Sequence, residues 1–184
     1  MEEFPISDLT NTLDEESRNL IAELVLAWAR YDSLVSQWTY RSYGMGPDEG
    51  SLFIGNMDTK AKLDKLKALF THYGKSGAKK IASLSKLSQT HADVRNTICH
   101  KTCGGNSKSD PDRLVFSDGR IFKTKPGKMQ VELIHLDQIR DAITFASQNA
   151  DTISKIVDAL AAQQEGPSKP PPGNPPSSLP DPQP

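Results

Sequence analysis

Apolar residues recur along most of this chain at three- and four-residue steps, the spacing of a helix with one buried face. Over 14–43 the stripe is Leu20, Ile21, Leu24, Trp28, Tyr31, Val35 and Trp38. Asp14, Glu15 and Glu16 stand at its start, where the helix dipole favours negative charge, and Gly44, Gly46 and Pro47 stop it. Residues 45–57 have little periodicity and read as a loop. A second helix fits 58–73, capped by Asp58 or Thr59, with Leu63, Leu66, Phe70 and Tyr73 inward and Gly74 at its end. A third fits 77–103, with Ile81, Leu84, Leu87, His91, Val94 and Ile98 as its stripe and Gly104-Gly105 ending it. Asn106 to Pro111 reads as a polar turn.

The period then changes to two. Arg113 to Phe116 and Arg120 to Lys123 flank Ser117-Asp118-Gly119, a hairpin signal, and Met129 to Ile134 follows a Pro126-Gly127 turn as a third strand. A last helix runs from about Asp137 to Gln163 on Ile139, Ile143, Ala146, Ala150, Ile153, Val157 and Leu160. The predicted fold is mainly α: a bundle of four to five helices with a small antiparallel β-hairpin or meander inserted before the last helix. From Gly166 onward there are nine prolines and no apolar period. That segment cannot bury a core and is expected to be extended and mobile. The division is a helical domain over 1–165 and a disordered proline-rich tail over 166–184.

Composition adds limits. At 184 residues and 36% apolar, the chain fits one domain. No apolar run is long enough for a membrane span, and the Met-Glu-Glu-Phe-Pro start lacks the pattern of a secretory leader. Two cysteines, Cys99 and Cys103, imply no disulfide framework, and a reducing cytoplasm is the expected location. Net charge is −1, but its distribution is uneven. Residues 60–101 hold ten basic groups against Asp64 and Asp93, a net of +8, while the first fifty residues hold ten acidic and three basic groups. Such asymmetry can set a positive face on an acidic molecule, and phosphate backbones bind positive faces. It also fits lysine-rich, solvated helix faces with no ligand.

Candidate chemistry gathers at the end of the third helix, in Asp93-Val94-Arg95-Asn96-Thr97-Ile98-Cys99-His100. Asn96 and His100 are four apart and share a face. Arg95 and His100 are five apart, roughly 140° round an ideal helix, so they border one groove from different sides at best. Val94 and Ile98 anchor the core side. A histidine exchanges protons near neutrality, and an arginine grips phosphate through a fixed fork of donors. The same residues also have a purely structural reading. Arg95 would pair with Asp93 or an acid of the first helix, His100 would cap the helix, and Asn96 would be a buried hydrogen-bonding residue. A groove around Arg95 and His100 favours chemistry. Arg95 buried against a carboxylate favours structure.

Arg95-Asn96-Thr97-Ile98-Cys99-His100 resembles the Arg-polar-x-x-x-His signature of the HEPN superfamily (higher eukaryotes and prokaryotes nucleotide-binding). The order of elements is similar too: a long early helix, a second helix, and the motif near the end of a later one. The sequence departs from similar bacterial ones at Lys101, where a small residue is common, and at Cys99, where alanine is common. The resemblance implies a bundle of four or five helices. It also implies RNA binding with metal-independent endoribonuclease activity of a toxin or defence type. Other members are non-catalytic dimerisation or interaction modules, and that is the alternative. Arg95, Asn96 and His100 are the candidate catalytic residues, with Asn96 orienting the imidazole or the phosphate. Lys75, Lys79, Lys80, Lys86 and Lys101 are the candidate RNA-binding residues. No metal or cofactor is called for. One histidine is too few for a separate acid and base, so a two-fold homodimer is expected. An antitoxin-like protein or a nucleotidyltransferase is the partner that the resemblance suggests.

Other signals are weaker. Cys99, His100 and Cys103 with His91 lack the second pair of ligands that a structural zinc site needs. His91, Trp28 and Trp38 lie on apolar stripes and read as core. Cys99 is a poor nucleophile at a half-buried position. Gly44-Met45-Gly46 is too short for a phosphate loop. The prolines of the tail have no clear basic anchor apart from Lys169, so an SH3-type ligand role finds little support.

Overall fold

A computed structural model describes residues 2–118 and 126–164. Among the described residues five α-helices follow in chain order: α1 (Glu15–Ser42), α2 (Pro47–Ile54), α3 (Thr59–His72), α4 (Ala78–His100) and α5 (Leu136–Gln164). Four strands, β1 (Glu2–Pro5), β2 (Thr102–Asn106), β3 (Arg113–Ser117) and β4 (Lys128–His135), form one antiparallel sheet in the order β1-β4-β3-β2. The chain is therefore mainly helical, with a small antiparallel sheet whose last three strands precede the final helix. No described helix is long and apolar enough to cross a membrane.

α1 and α5 form the axis of the bundle. Trp28, Tyr31, Val35 and Trp38 of α1 share a core with Ala146, Ala150, Ile153 and Val157 of α5, joined by Leu63, Leu66 and Ile81 of the α3–α4 hairpin. Leu24 continues α1 into a second core with Leu114 and Phe116 of β3, Ile134 of β4 and the start of α5. The pleat sends Val115 to the opposite face, where it meets Phe4, Leu9 and Val131. The sheet is thus covered on both sides, by helices on one and by the N-terminal segment on the other.

The helix caps follow the sequence. Asp14 Oδ1 accepts the Ser17 N–H at 2.7 Å, a bond that holds the Asp14 carboxyl below its ordinary range. Asp58 Oδ1 accepts the Ala61 N–H at 2.7 Å.

Several expectations need correction. Residues 45–57 are not all loop, because α2 occupies 47–54. Two turns are too short to display a period. The start signal was nevertheless present: Pro47 takes the first helical position and Glu49 reaches back to the Gly46 N–H at 3.4 Å. The helix read over 77–103 ends at His100, where Lys101 turns extended and Thr102 joins β2. Gly104-Gly105 does not cap a helix. Gly105, at φ +103°, carries the irregular step of β2 against β3, and a Cβ there would lie 2.6 Å from Thr10 Oγ1. Leu87 is 54% exposed, because the inner face of α4 runs through Ile81, Ser85 and Ser88 instead. Small serines there let α3 and α4 lie close, with Ser85 Oγ 3.4 Å from Asp64. Finally, β3 pairs directly with β4, Arg113 opposite His135 through Phe116 opposite Glu132, so no strand lies between them. The strand read at Arg120 to Lys123 and the tail read at 166–184 lie outside the described residues, apart from which β1 is an additional strand.

Asn106 is a buried clamp and not part of a polar turn. It ends β2 at 4% exposure. Its Nδ2 is offered to the Pro111 carbonyl at 2.7 Å, Ser17 Oγ at 3.0 Å and Asp14 Oδ2 at 3.2 Å, and its Oδ1 accepts the Asp14 N–H at 3.3 Å. One amide therefore ties the first turn of α1 to the sheet. Asn106→Ala leaves these buried groups unpaired, and we expect a loss of about 1–3 kcal/mol of stability, read from urea melts.

Candidate functional site

The end of α4 is fixed from both sides. Val94 and Ile98 pack on the core around Leu24, as their spacing predicts. On the sheet side, Thr97 Oγ1 donates to Glu132 Oε1 at 2.8 Å, and the Lys101 ammonium is ion-paired with the other oxygen of Glu132. Glu132 is on β4, two residues from Ile134, and so shares the face that the helices cover. The Lys101 ammonium, together with the Thr97 hydroxyl, holds its carboxyl below the ordinary glutamate range in spite of partial burial. Lys101 is therefore committed to the fold and is not a free RNA-binding cation.

Arg95 is half-buried, and its Nη1 donates to Asn96 Oδ1 at 3.1 Å. Both side chains line a groove of about 480 Å³ between α1, the entry to α3, and α4. Trp28, Ala29 and Ala92 supply its apolar wall, and Asp32, Asp58, Thr59, Ser88 and Gln89 its polar one. The pairings that would make Arg95 purely structural do not form. Asp93 accepts from Gln89 at 2.9 Å. Asp32 accepts from Lys62 at 2.7 Å and from Thr59 at 2.6 Å. Among the described residues no carboxylate forms an ion pair with Arg95.

His100 stands apart. It is exposed at the last position of α4 and does not line the groove that holds Arg95 and Asn96. The helical offset between residues 95 and 100 accounts for this. One copy of the chain thus holds Arg95 in the groove and His100 outside it.

The remaining basic residues are dispersed. Lys75 lies over the rings of Phe70 at 5.5 Å and Tyr73 at 5.9 Å, near the start of α4. Lys79 is exposed and Lys80 edges an apolar groove, both in the first turn of α4. Lys86 lines a shallow furrow between α3 and α4 with Lys60 and Lys67. Lys79 and His100 are separated by roughly 32 Å of helix, at 1.5 Å per residue. The +8 segment folds into one hairpin, with its charges spread along the length of it.

Cys99, His100, Cys103 and His91 do not come together. Cys99 is exposed, whereas burial pushes the Cys103 thiol up, away from a reactive thiolate. His91 stacks on Phe145 at 4.5 Å, and burial lowers its pKa against the opposing pull of Asp141. Trp28 also packs on Phe145, so both rings serve the core, although Trp28 also borders the groove. Among the described residues the potential metal ligands that do converge are Asp110, Asp112 and His135, where Arg113 is ion-paired with Asp110 at 2.8 Å.

Sequence reasoning missed two groups that shape this site. Lys62, 4% exposed, forms a largely buried pair with Asp32 beneath the groove. Nothing in its spacing marks it as different from the other lysines of α3. Glu132 had a signal: a carboxylate in phase with the core residue Ile134 of a half-buried strand must find a partner. Comparison with known proteins adds no identification, since no family model, no curated protein and no solved structure matches the chain.

The sign of the Glu132 effect on stability is fixed by its depressed pKa. A group that holds its proton less tightly when folded contributes stability that is complete above its ordinary value of 4.5 and is lost as pH falls. We expect Glu132→Gln to lower stability at neutral pH and to flatten the acid limb of a stability-versus-pH curve. Denaturant melts of both proteins from pH 3 to 7, at the order of one unit per step, check this; parallel curves would be the contrary result.

Proposed function

We propose that this chain is a HEPN-like RNA-binding protein that cleaves RNA without a metal, and that two copies complete its site across a two-fold axis. The observation that carries this reading is Arg95. It is a half-buried guanidinium in a groove, hydrogen-bonded to Asn96, that forms no ion pair with a carboxylate among the described residues. Arginine keeps its charge and matches phosphate with paired donors, so such a group suits a phosphodiester. In the reaction, the ribose 2′-oxygen gives up its proton and bonds to phosphorus while the bond to the 5′-oxygen breaks. The leaving oxygen takes a proton, and a 2′,3′-cyclic phosphate remains. Arg95 and Asn96 hold the phosphate. One His100 accepts the first proton, and the partner copy's equivalent group donates the second. A toxin or defence role in the cytoplasm, with an antitoxin-like protein or a nucleotidyltransferase as partner, is the setting consistent with this chemistry and the resemblance.

The second reading is a non-catalytic helical interaction module on the same scaffold. It is favoured by the separation of His100 from the Arg95 groove and by the engagement of Lys101 with Glu132.

The decisive experiment mixes defects. Wild-type protein should cut RNA in the presence of chelator and sediment near twice its monomer mass. Arg95→Ala and His100→Ala should each reduce cleavage by about a hundredfold or more while circular dichroism and melting match the wild type. Mixing the two variants should restore no activity, because a mixed dimer holds a single His100 and the reaction uses one from each copy. A protein that dimerises through α4 yet cuts no RNA is the interaction module instead.

A further inference from the structure

A groove of about 400 Å³ opens between α1, the α3–α4 hairpin and α5. Its lining is mainly apolar. Trp38, Ile81 and Ile153 are buried behind it, and the half-buried Phe70, Leu84 and Ile156 form its sides. Two polar residues on the α5 side keep their donors on their own helix. Asn149 Nδ2 donates to the Phe145 carbonyl at 2.7 Å, and Thr152 Oγ1 to the Gln148 carbonyl at 3.0 Å. The apolar line also continues beyond the groove. Leu87, three residues on from Leu84 and on the same face of α4, is 54% exposed.

The cations gather at the opposite end. Lys80 borders the groove in the first turn of α4, next to Lys79, and Lys75 lies over the Phe70 ring at 5.5 Å. All three are exposed, and among the described residues no carboxylate forms an ion pair with any of them. Among the described residues that line the groove none is acidic. Leu87 is roughly 10 Å further along α4 than Lys80, at 1.5 Å per residue. The surface is therefore polarised along its length, positive at the α3–α4 turn and apolar beyond it.

This distribution selects the occupant. Small-molecule sites are concave, mainly apolar and of about 300–1,000 Å³, with a few polar groups that fix orientation. An acidic helix of a partner protein carries its charges along its flanks and calls for cations along the whole groove, whereas here they stand at one end. A ligand with one negative head and an apolar body matches both halves of the surface. The compact ammonium of a lysine suits a single carboxylate head.

We propose that this groove binds a fatty acid, an unbranched alkyl carboxylate, with the carboxylate on Lys80 and the chain laid along Leu84 towards Leu87. Lys80 and Arg95 are separated by roughly 22 Å of helix, and the inference is independent of any activity at Arg95.

The test is calorimetric titration of the full chain with hexanoate, octanoate and decanoate, set against decanol and decyltrimethylammonium. The expected result is one saturable site per chain, with affinity rising about threefold to fourfold per added methylene, and a melting temperature raised by decanoate. Decanol and decyltrimethylammonium should bind about tenfold more weakly than decanoate. Lys80 is exposed, so Lys80→Glu should melt like the wild type without ligand. It should nevertheless weaken decanoate about tenfold and strengthen decyltrimethylammonium. Thr152 is exposed at the rim, and Thr152→Trp should fill the groove and abolish binding of the acid. Absence of a saturable site for decanoate overturns the proposal. So does binding of decanol as tight as that of the acid, or binding indifferent to both variants. A melting temperature lowered by decanoate marks surfactant denaturation and overturns it as well.

Discussion

The seam between α1 and α5 is the contact on which the rest of this molecule depends. Two helices of 28 and 29 residues lie against each other, and each alone exposes a continuous apolar stripe that water disfavours. The seam works by pairing large with small. Trp28, Tyr31, Val35 and Trp38 project from α1, while Ala142, Ala146 and Ala150 of α5, all fully buried, leave room for them. Phe145 then stacks between Trp28, Tyr31 and His91, which brings α4 to the same axis. The α3–α4 hairpin packs onto this pair, and α5 is reached only by way of the sheet. The sheet is a short brace that turns the chain from the end of α4 to the start of α5, and Glu132 and Asn106 are the polar bolts that hold it to α4 and α1.

How much of this was legible depends on element length. α1, α3 and α5 span about four turns or more, and over such lengths the apolar stripe separates clearly from its alternatives. Their N-terminal signals, Asp14 and Asp58, fall where the caps form. α2 has two turns, and no stripe can emerge from Leu52, Phe53 and Ile54 alone. β1 and β2 are shorter still. Glu2–Pro5 becomes a strand only because Val131 and Met129 of β4 offer it an edge, a contact between residues more than a hundred positions apart. Thr102–Asn106 contains two glycines, which argue against regular structure locally, yet here they fit the irregular register against β3.

The candidate site was legible in its residues and less so in its grouping. Sequence places Arg95, Asn96 and His100 on one helix, and the helical repeat alone separates Arg95 from His100. It cannot say which lysines are free. Lys62, Lys75 and Lys101 look alike as letters. One is buried on Asp32, one lies over two aromatic rings, and one is bound to Glu132. Each commitment is made by a partner distant in sequence or by a neighbouring turn, so formal charge over a window overstates the charge available to a ligand.

The same geometry constrains what the site can be. A reaction with two proton transfers needs its groups to converge on one phosphate, and the rigid end of α4 does not let Arg95 and His100 of one copy do so. Thr97 and Lys101 fix that end to Glu132, while Val94 and Ile98 fix it to the core, so the helix has little freedom to rotate the two side chains together. Rigidity here works against an intramolecular active site and in favour of an intermolecular one. In the two-fold arrangement proposed above, the exposed side of one copy, with His100, would face the groove side of the other, with Arg95. If catalysis occurs, the dimer is therefore a condition of the chemistry as well as of its binding surface. Whatever that outcome, the tie from Glu132 to Lys101 holds the end of α4 to the sheet.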